Sequence, residues 1–243
     1  MNKNIIAIAI ASLGFVIGLG ILGNAIKNRN KSENTISVTG LGTKKFTSDL
    51  ITWNGSFSRN DFELKTAYDE LLNDRKVIEN YLISKGIPKN ELVFSAVDIQ
   101  KQFNYVSDSN GSSHQTFAGY QLTQSISLES KDVAKIENLS RNITEIINLG
   151  IVFTSSKPNY FYTKLAEVKQ EMIANATKDA KESAEKIAEN AGSDLGNLKK
   201  ATMGVIQITA PNSNEDFSYG GTYNTESKEK EASITIKLEY EVD

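Results

Sequence analysis

The residue types that carry most enzyme chemistry are scarce in this 243-residue chain, which has no cysteine and a single histidine, His114. Without thiolates there is no cysteine nucleophile, disulfide or cysteine-based metal site. His114 lies in a Ser/Gly-rich stretch and has no second histidine to complete a transition-metal set or a nucleophilic pair. Gly40-x-Gly42 lacks the third glycine of a dinucleotide fingerprint and the helix it should open, so it is expected to serve turn geometry. Asp108-x-Asn110-Gly111 resembles the start of a calcium loop, but the glycine falls two positions early and the closing glutamate is missing. No G-x-S-x-G, P-loop or H-E-x-x-H motif occurs, and Asp69-Glu70 falls on a helix face as solvated surface. These residues predict no catalytic, cofactor-binding or metal site, no cofactor, and a chain that is not an enzyme.

One set of side chains points to binding instead. Phe217, Tyr219 and Tyr223 flank Gly220-Gly221 in a polar loop from Pro211 to Lys230. Their rings could meet a partner or a membrane interface, or pack back on their own domain; a loop of this length is usually functional or disordered. Trp53, by contrast, lies on the apolar face of a strand and is expected in the core.

The elements that must position these residues follow from hydrophobic spacing. Ile36 and Val38, then Ile51, Trp53 and Phe57, alternate with polar residues and predict two strands joined by a turn at Gly40-Leu41-Gly42. Asn60 is placed to cap a helix to about Lys85, striped by Leu64, Ala67, Leu71, Ile78 and Leu82 and stopped by Gly86 and Pro88. Val93 to Tyr105 and Tyr120 to Leu128 predict a long hairpin whose turn is Asp108-Ser109-Asn110-Gly111-Ser112. Ser130 is placed to cap a second helix bearing Val133, Ile136, Ile143 and Ile147, ended by Gly150, with a strand at Ile151 to Thr154. A third, alanine-rich helix is expected from about Tyr160 to Ala191, striped by Leu165, Val168, Met172, Ala176, Ala180, Ala184, Ile187 and Ala191, with Gly192 as its stop. Met203 to Ala210 predicts a strand, and Ala232, Ile234, Ile236, Leu238, Tyr240 and Val242 alternate through a last one. Hairpins mixed with helical crossovers predict an α+β fold with mixed or antiparallel sheets and three main helices.

From Ile5 to Ile26 no side chain is charged. At about 1.5 Å per residue this run matches a bilayer core of about 30 Å, which predicts one N-terminal transmembrane helix, with a cleaved signal peptide ending at Gly23-Asn24-Ala25 as the alternative. Gly14-x-x-x-Gly18 fits close helix approach, though glycine is common in such spans. Lys27, Arg29 and Lys31 follow the run against Lys3 before it, a count that by itself favours a cytoplasmic C-terminus. The boundaries expected are 1–33 for anchor and tether and 34–243 for one module, with lobes of about 34–115 and 116–243. The net charge of −3 offers no basic field to collect phosphate backbones, so nucleic acid is not an expected partner.

Three segments carry a resemblance: Ile36-Ser-Val-Thr-Gly-Leu-Gly42, Gly86-Ile-Pro-Lys-Asn-Glu-Leu92 and Ala184-Glu-Lys-Ile-Ala-Glu-Asn-Ala-Gly192. In this order and spacing the chain resembles the SIMPL family, a domain of unknown function whose bacterial members include the YggE group. The resemblance covers nearly everything from Thr35 to Asp243 and implies a two-lobed module in the cell envelope, held extracytoplasmic by the anchor. It further implies homo-oligomers or partner contacts and a role in envelope stress tolerance, and it carries no catalytic residues. A small-ligand-binding module is the first alternative and an uncharacterised enzyme the second.

Overall fold

The computed structural model describes residues 13–23, 34–107 and 113–242, which form four α-helices and eleven strands in an α+β fold. Residues 13–23 are helix α1; the remainder of the apolar run, the tether and the Asp108–Ser112 turn lie outside the described residues. Among the described residues no helix is long and apolar enough to cross a membrane. The chain continues through β1 (Thr35–Thr47), β2 (Leu50–Asp61), α2 (Leu64–Ser84), β3 (Val93–Phe94), β4 (Asp98–Ser107) and β5 (Ser113–Ser130). There follow α3 (Val133–Asn142), β6 (Phe153–Ser155), β7 (Asn159–Phe161), α4 (Leu165–Ala191), β8 (Leu195–Met203), β9 (Gln207–Thr209), β10 (Thr222–Tyr223) and β11 (Glu229–Val242). The strands build a five-stranded sheet ordered β1-β11-β9-β10 with β8 on β11, and a six-stranded sheet ordered β3-β5-β2-β6 with β4 on β5 and β7 on β2. The chain divides into two compact units, one of Met1–Gly40, Thr177–Met203 and Ile236–Asp243, the other of Leu41–Ala176 and Gly204–Thr235.

The second unit holds the six-stranded, antiparallel sheet and its core. Opposite residues of paired strands share a face, so the pairings Trp53 with Leu128, Gly55 with Ile126 and Phe57 with Gln124 define one side. On that side Ile51, Trp53, Phe57, Leu122, Ile126 and Leu128 are buried in one cluster with Ala67, Leu71, Ile78 and Leu82 of α2 and Val133, Ile136 and Leu139 of α3. Burial of each large apolar chain stabilises by about 1.5–3 kcal/mol. Trp53 is therefore core, as its strand position predicts, and its Nε1 donates to Ser155 Oγ at 3.0 Å. Gly55 leaves room for a ring: a Cβ there would come within 2.6 Å of Phe153 Cε1.

In the first unit, residues of β11 pair antiparallel with β8, Ile236 opposite Met203 and Leu238 opposite Ala201. Ile236, Leu238 and Tyr240 are buried, as are Ala180, Ala184 and Ala188 of α4. Val242 N donates to Asn34 O at 3.0 Å, so the first and last described residues of the module meet.

Several local expectations are corrected. β1 runs straight through Gly40-Leu41-Gly42 to Thr47, because Gly42 is there for close approach: a Cβ on it would lie 3.0 Å from Ala176 N and collide with Met172 O on α4. Asn60 pairs with Gln121 inside β2, and α2 starts four residues later behind Glu63, which makes no side-chain cap. The cap of α3 is Asp132, whose Oδ1 accepts from Lys135 N at 3.1 Å, while Ser130 closes β5. A 3-10 turn over Ile143–Leu149 tightens the spacing to three, so Ile146 is buried and Ile147 exposed. Tyr160 belongs to β7, opposite Ile51, and α4 begins at Leu165. Its buried series keeps a strict spacing of four, which buries Ala188 in place of Ile187. The strand expected at Met203 to Ala210 shortens to β9, after a β8 that ends at Met203, and the Val93 to Tyr105 strand is broken between β3 and β4.

Candidate functional site

The loop from Pro211 to Lys230 is tied down by its own polar side chains. Gln207 is buried, and its amide pairs with Ser218 as a strand neighbour would: Nε2 donates to Ser218 O at 2.8 Å and Oε1 accepts from Ser218 N at 3.2 Å. Glu215 Oε1 accepts from Asn224 Nδ2 at 2.6 Å, and Asn224 Oδ1 accepts from Ser227 N at 2.8 Å. Gly221 has φ +90°, and a Cβ on it would come within 3.0 Å of Ile206 O, so glycine is required there on both counts.

Lys230 is the one fully buried ammonium among the described residues. Its Nζ donates to Asn224 O at 2.5 Å and to Ser227 O at 2.8 Å, and it lies 5.6 Å from the centre of the Tyr223 ring. Burial lowers its pKa from 10.5 to about 8, with the nearby Glu215 charge opposing the shift. The fixed loop thus has a charged, desolvated pin beneath it.

The three aromatic residues expected to bind divide. Tyr223 turns back: its hydroxyl accepts from Tyr162 N at 3.2 Å and its ring lies 6.4 Å from that of Phe161. Phe217 and Tyr219 stand out from the loop, Tyr219 with its whole surface exposed. Two open grooves adjoin the loop. One, of about 380 Å³, is lined by Leu165, Val168 and Met172 of α4 with Ile208, Gly221 and Tyr223. The other, of about 530 Å³, includes Val205, Gln207, Phe217, Tyr219 and Thr235. Residues of β9 alternate between the two, so the grooves open on opposite faces of that strand. Both walls are mainly apolar, and the 380 Å³ groove has Lys169 as its one charged lining residue.

The remaining candidates take other places. His114 stands exposed in β5 opposite Val106. Asp69 pairs with Lys65, while Glu70 lies 4.0 Å from Arg59 Nε. Arg59 forms a two-pronged pair with the buried Asp74, Nε to Oδ2 at 2.5 Å and Nη2 to Oδ1 at 2.8 Å, and Nη2 also donates to Gly150 O at 3.1 Å. That bonding raises the guanidinium pKa further and ties β2 to α2. Among the described residues no group of three or more His, Cys, Asp or Glu side chains is placed to hold a metal ion.

Lys230, Gln207 and Asp74 were the residues missed from sequence, and two of them, Lys230 and Asp74, had a signal. Lys230 continues the inward series of Ala232, Ile234 and Ile236, and Asp74 falls on the α2 stripe between Leu71 and Ile78. An ionisable residue at an inward position of a regular pattern marks a buried polar contact.

No curated protein matches the chain. A family model does, over residues 36–241, and it is described as SIMPL, a protein of unknown function (DUF541). That span takes in β1 to β11 almost entire, so the order of three marker segments along the sequence is matched by a whole module, and the chain belongs to the SIMPL family.

Proposed function

We propose that this chain is a membrane-anchored, extracytoplasmic envelope protein whose SIMPL module works by contact, with further copies of itself or with partner proteins, in envelope stress tolerance. The observation that carries the reading is the display of Phe217 and Tyr219 on a loop fixed by Gln207, Asn224 and Lys230. A rigid platform for exposed rings loses little side-chain freedom on association. The uncharged Ile5–Ile26 run supports the anchor, and the family resemblance supports the address. Protease added outside cells whose wall and any outer membrane have been breached should cut the module; full protection would overturn the orientation. Full-length protein extracted in detergent should sediment as an assembly or pull down a partner.

The 380 Å³ apolar groove favours one second reading, a module that binds a small apolar ligand. An apolar fluorescent dye should then bind saturably, and Leu165→Lys should abolish the signal; unsaturable binding unchanged by the variant removes this reading.

A further inference from the structure

Beyond the aromatic loop, the second unit carries an unpaired strand edge with rings beside it. β4 is bonded only to β5, so among the described residues its outer edge has no neighbour. β5 pairs with β2 only as far as Tyr120, opposite Asp61, whereas its pairing with β4 continues beyond, through Phe117 opposite Phe103 and Gln115 opposite Tyr105. The distal part of the hairpin is therefore a two-stranded ribbon. A bulge at Gln102/Phe103 keeps Phe117 on the ring-bearing side, with Gly119 at φ +114° and a Cβ there only 2.8 Å from Asp61 O.

That side of the ribbon continues the core face of the sheet past the cover of α2. Phe103, Phe62 and Tyr120 lie 6.0, 6.2 and 5.2 Å from Phe117, ring centre to ring centre. Phe62, Phe103, Tyr105 and Phe117 remain 65%, 46%, 75% and 42% exposed. With about 200 Å² per ring, this leaves on the order of 450 Å² of ring surface in one patch, over half of the ~800 Å² per partner in a standard interface. Edge strands are usually guarded by charge, proline or a cover, but from Gln102 to Tyr105 this edge has no charge and no proline.

We infer that the β4 edge and its ring patch are the self-association surface of this protein, two copies joining β4 to β4 in antiparallel fashion. The inference rests on the contact reading above and gives contact between copies a surface of its own, which leaves the Phe217–Tyr219 loop to partner proteins. A second copy fits where a lipid surface does not, because the backbone N–H and C=O groups of a bare edge need hydrogen-bond partners that hydrocarbon lacks. The edge has one acid and one base, Asp98 and Lys101, so two edges meet without net repulsion. A two-fold axis near Gln102 or Phe103 sets Lys101 against Phe103 or Tyr105 of the other copy, brings the ring patches together and keeps like charges from facing directly.

The absence of cysteine makes the test direct. Gln102→Cys, which faces its own copy for an axis at Gln102, and Gln102→Cys combined with Asn104→Cys, which face each other for an axis at Phe103, should form disulfide-linked dimers of the full-length protein in detergent under mild oxidant, at least tenfold more than the exposed helix variant Glu189→Cys. Phe103→Lys combined with Tyr105→Lys should shift the sedimenting mass towards monomer. A native circular-dichroism spectrum qualifies that result, and the cysteine variants decide if the double variant misfolds. A wild-type chain that is monomeric at every concentration and captures no partner overturns the contact reading itself. A chain that assembles while the β4 cysteines link no better than Glu189→Cys overturns the ribbon alone. Loss of vesicle binding by the double variant with its assembled mass unchanged would assign the patch to lipid and equally overturn it.

Discussion

At the scale of single residues, Lys230 sets the strongest condition. Its ammonium is satisfied by the carbonyls of Asn224 and Ser227 but removed from water, which holds its pKa near 8 against an ordinary 10.5. Between those values the unfolded chain keeps a proton that the folded chain has released. Stability attributable to this group therefore rises with pH from about 8 to 10.5, and the cost of burying the charge is fully present below pH 8. Denaturation free energies of the wild type, compared with those of Lys230→Met, should rise by about 2 kcal/mol between pH 7 and pH 10. Parallel curves would show that another group titrates. The Arg59–Asp74 pair is a different case: Asp74 is buried while the guanidinium is partly exposed, and two bonds between them link a strand to a helix.

At the scale of elements, glycine positions separate two physical effects. Gly42 sits where β1 meets the backbone of α4 at Met172 and Ala176, so Gly42→Ala must push strand and helix apart, at a cost of about 2–3 kcal/mol. Gly86 has φ +83° and open space around it, so Gly86→Ala adds backbone strain alone, about 1 kcal/mol. Urea midpoints of the two variants should rank in that order, and equal losses would remove the close-approach account of Gly42. The same position shows what the sequence could and could not reveal. The alternation in β11, the stripe of α2 and the alanines of α4 were legible because each repeats a buried contact at a regular interval. The Gly40-Leu41-Gly42 stretch was not, since glycine that bends a chain and glycine that admits a neighbour look alike until the neighbour is known. β8 was illegible for another reason: nearly all of its side chains are exposed, so it has no hydrophobic period to find. In the candidate site, the exposed rings of Phe217 and Tyr219 and the inward position of Lys230 could be marked in advance, but the groups that hold the loop could not. Gln207 and Lys230 act through backbone carbonyls and amides, whose positions no pattern of residue types specifies.

At the scale of the whole molecule, neither compact unit is a continuous stretch of chain. Residues 236–242 supply the strand on which β8 pairs, so a chain ending at Thr235 should lose amide-exchange protection throughout Leu195–Met203. Trp53, the only tryptophan, lies in the core of the other unit and should keep the blue-shifted emission of a buried indole. Red-shifted emission in the truncated chain would show that the two units unfold together. The hydrogen bond from Val242 to Asn34 has a practical meaning of its own. A fluorophore or affinity tag fused to the C-terminus would start beside Asn34, reporting on the end of the module where the family match begins. For the same reason the module could be reopened elsewhere and Asn34 joined to Val242 by a few residues, giving a circular permutant with the same strand pairings.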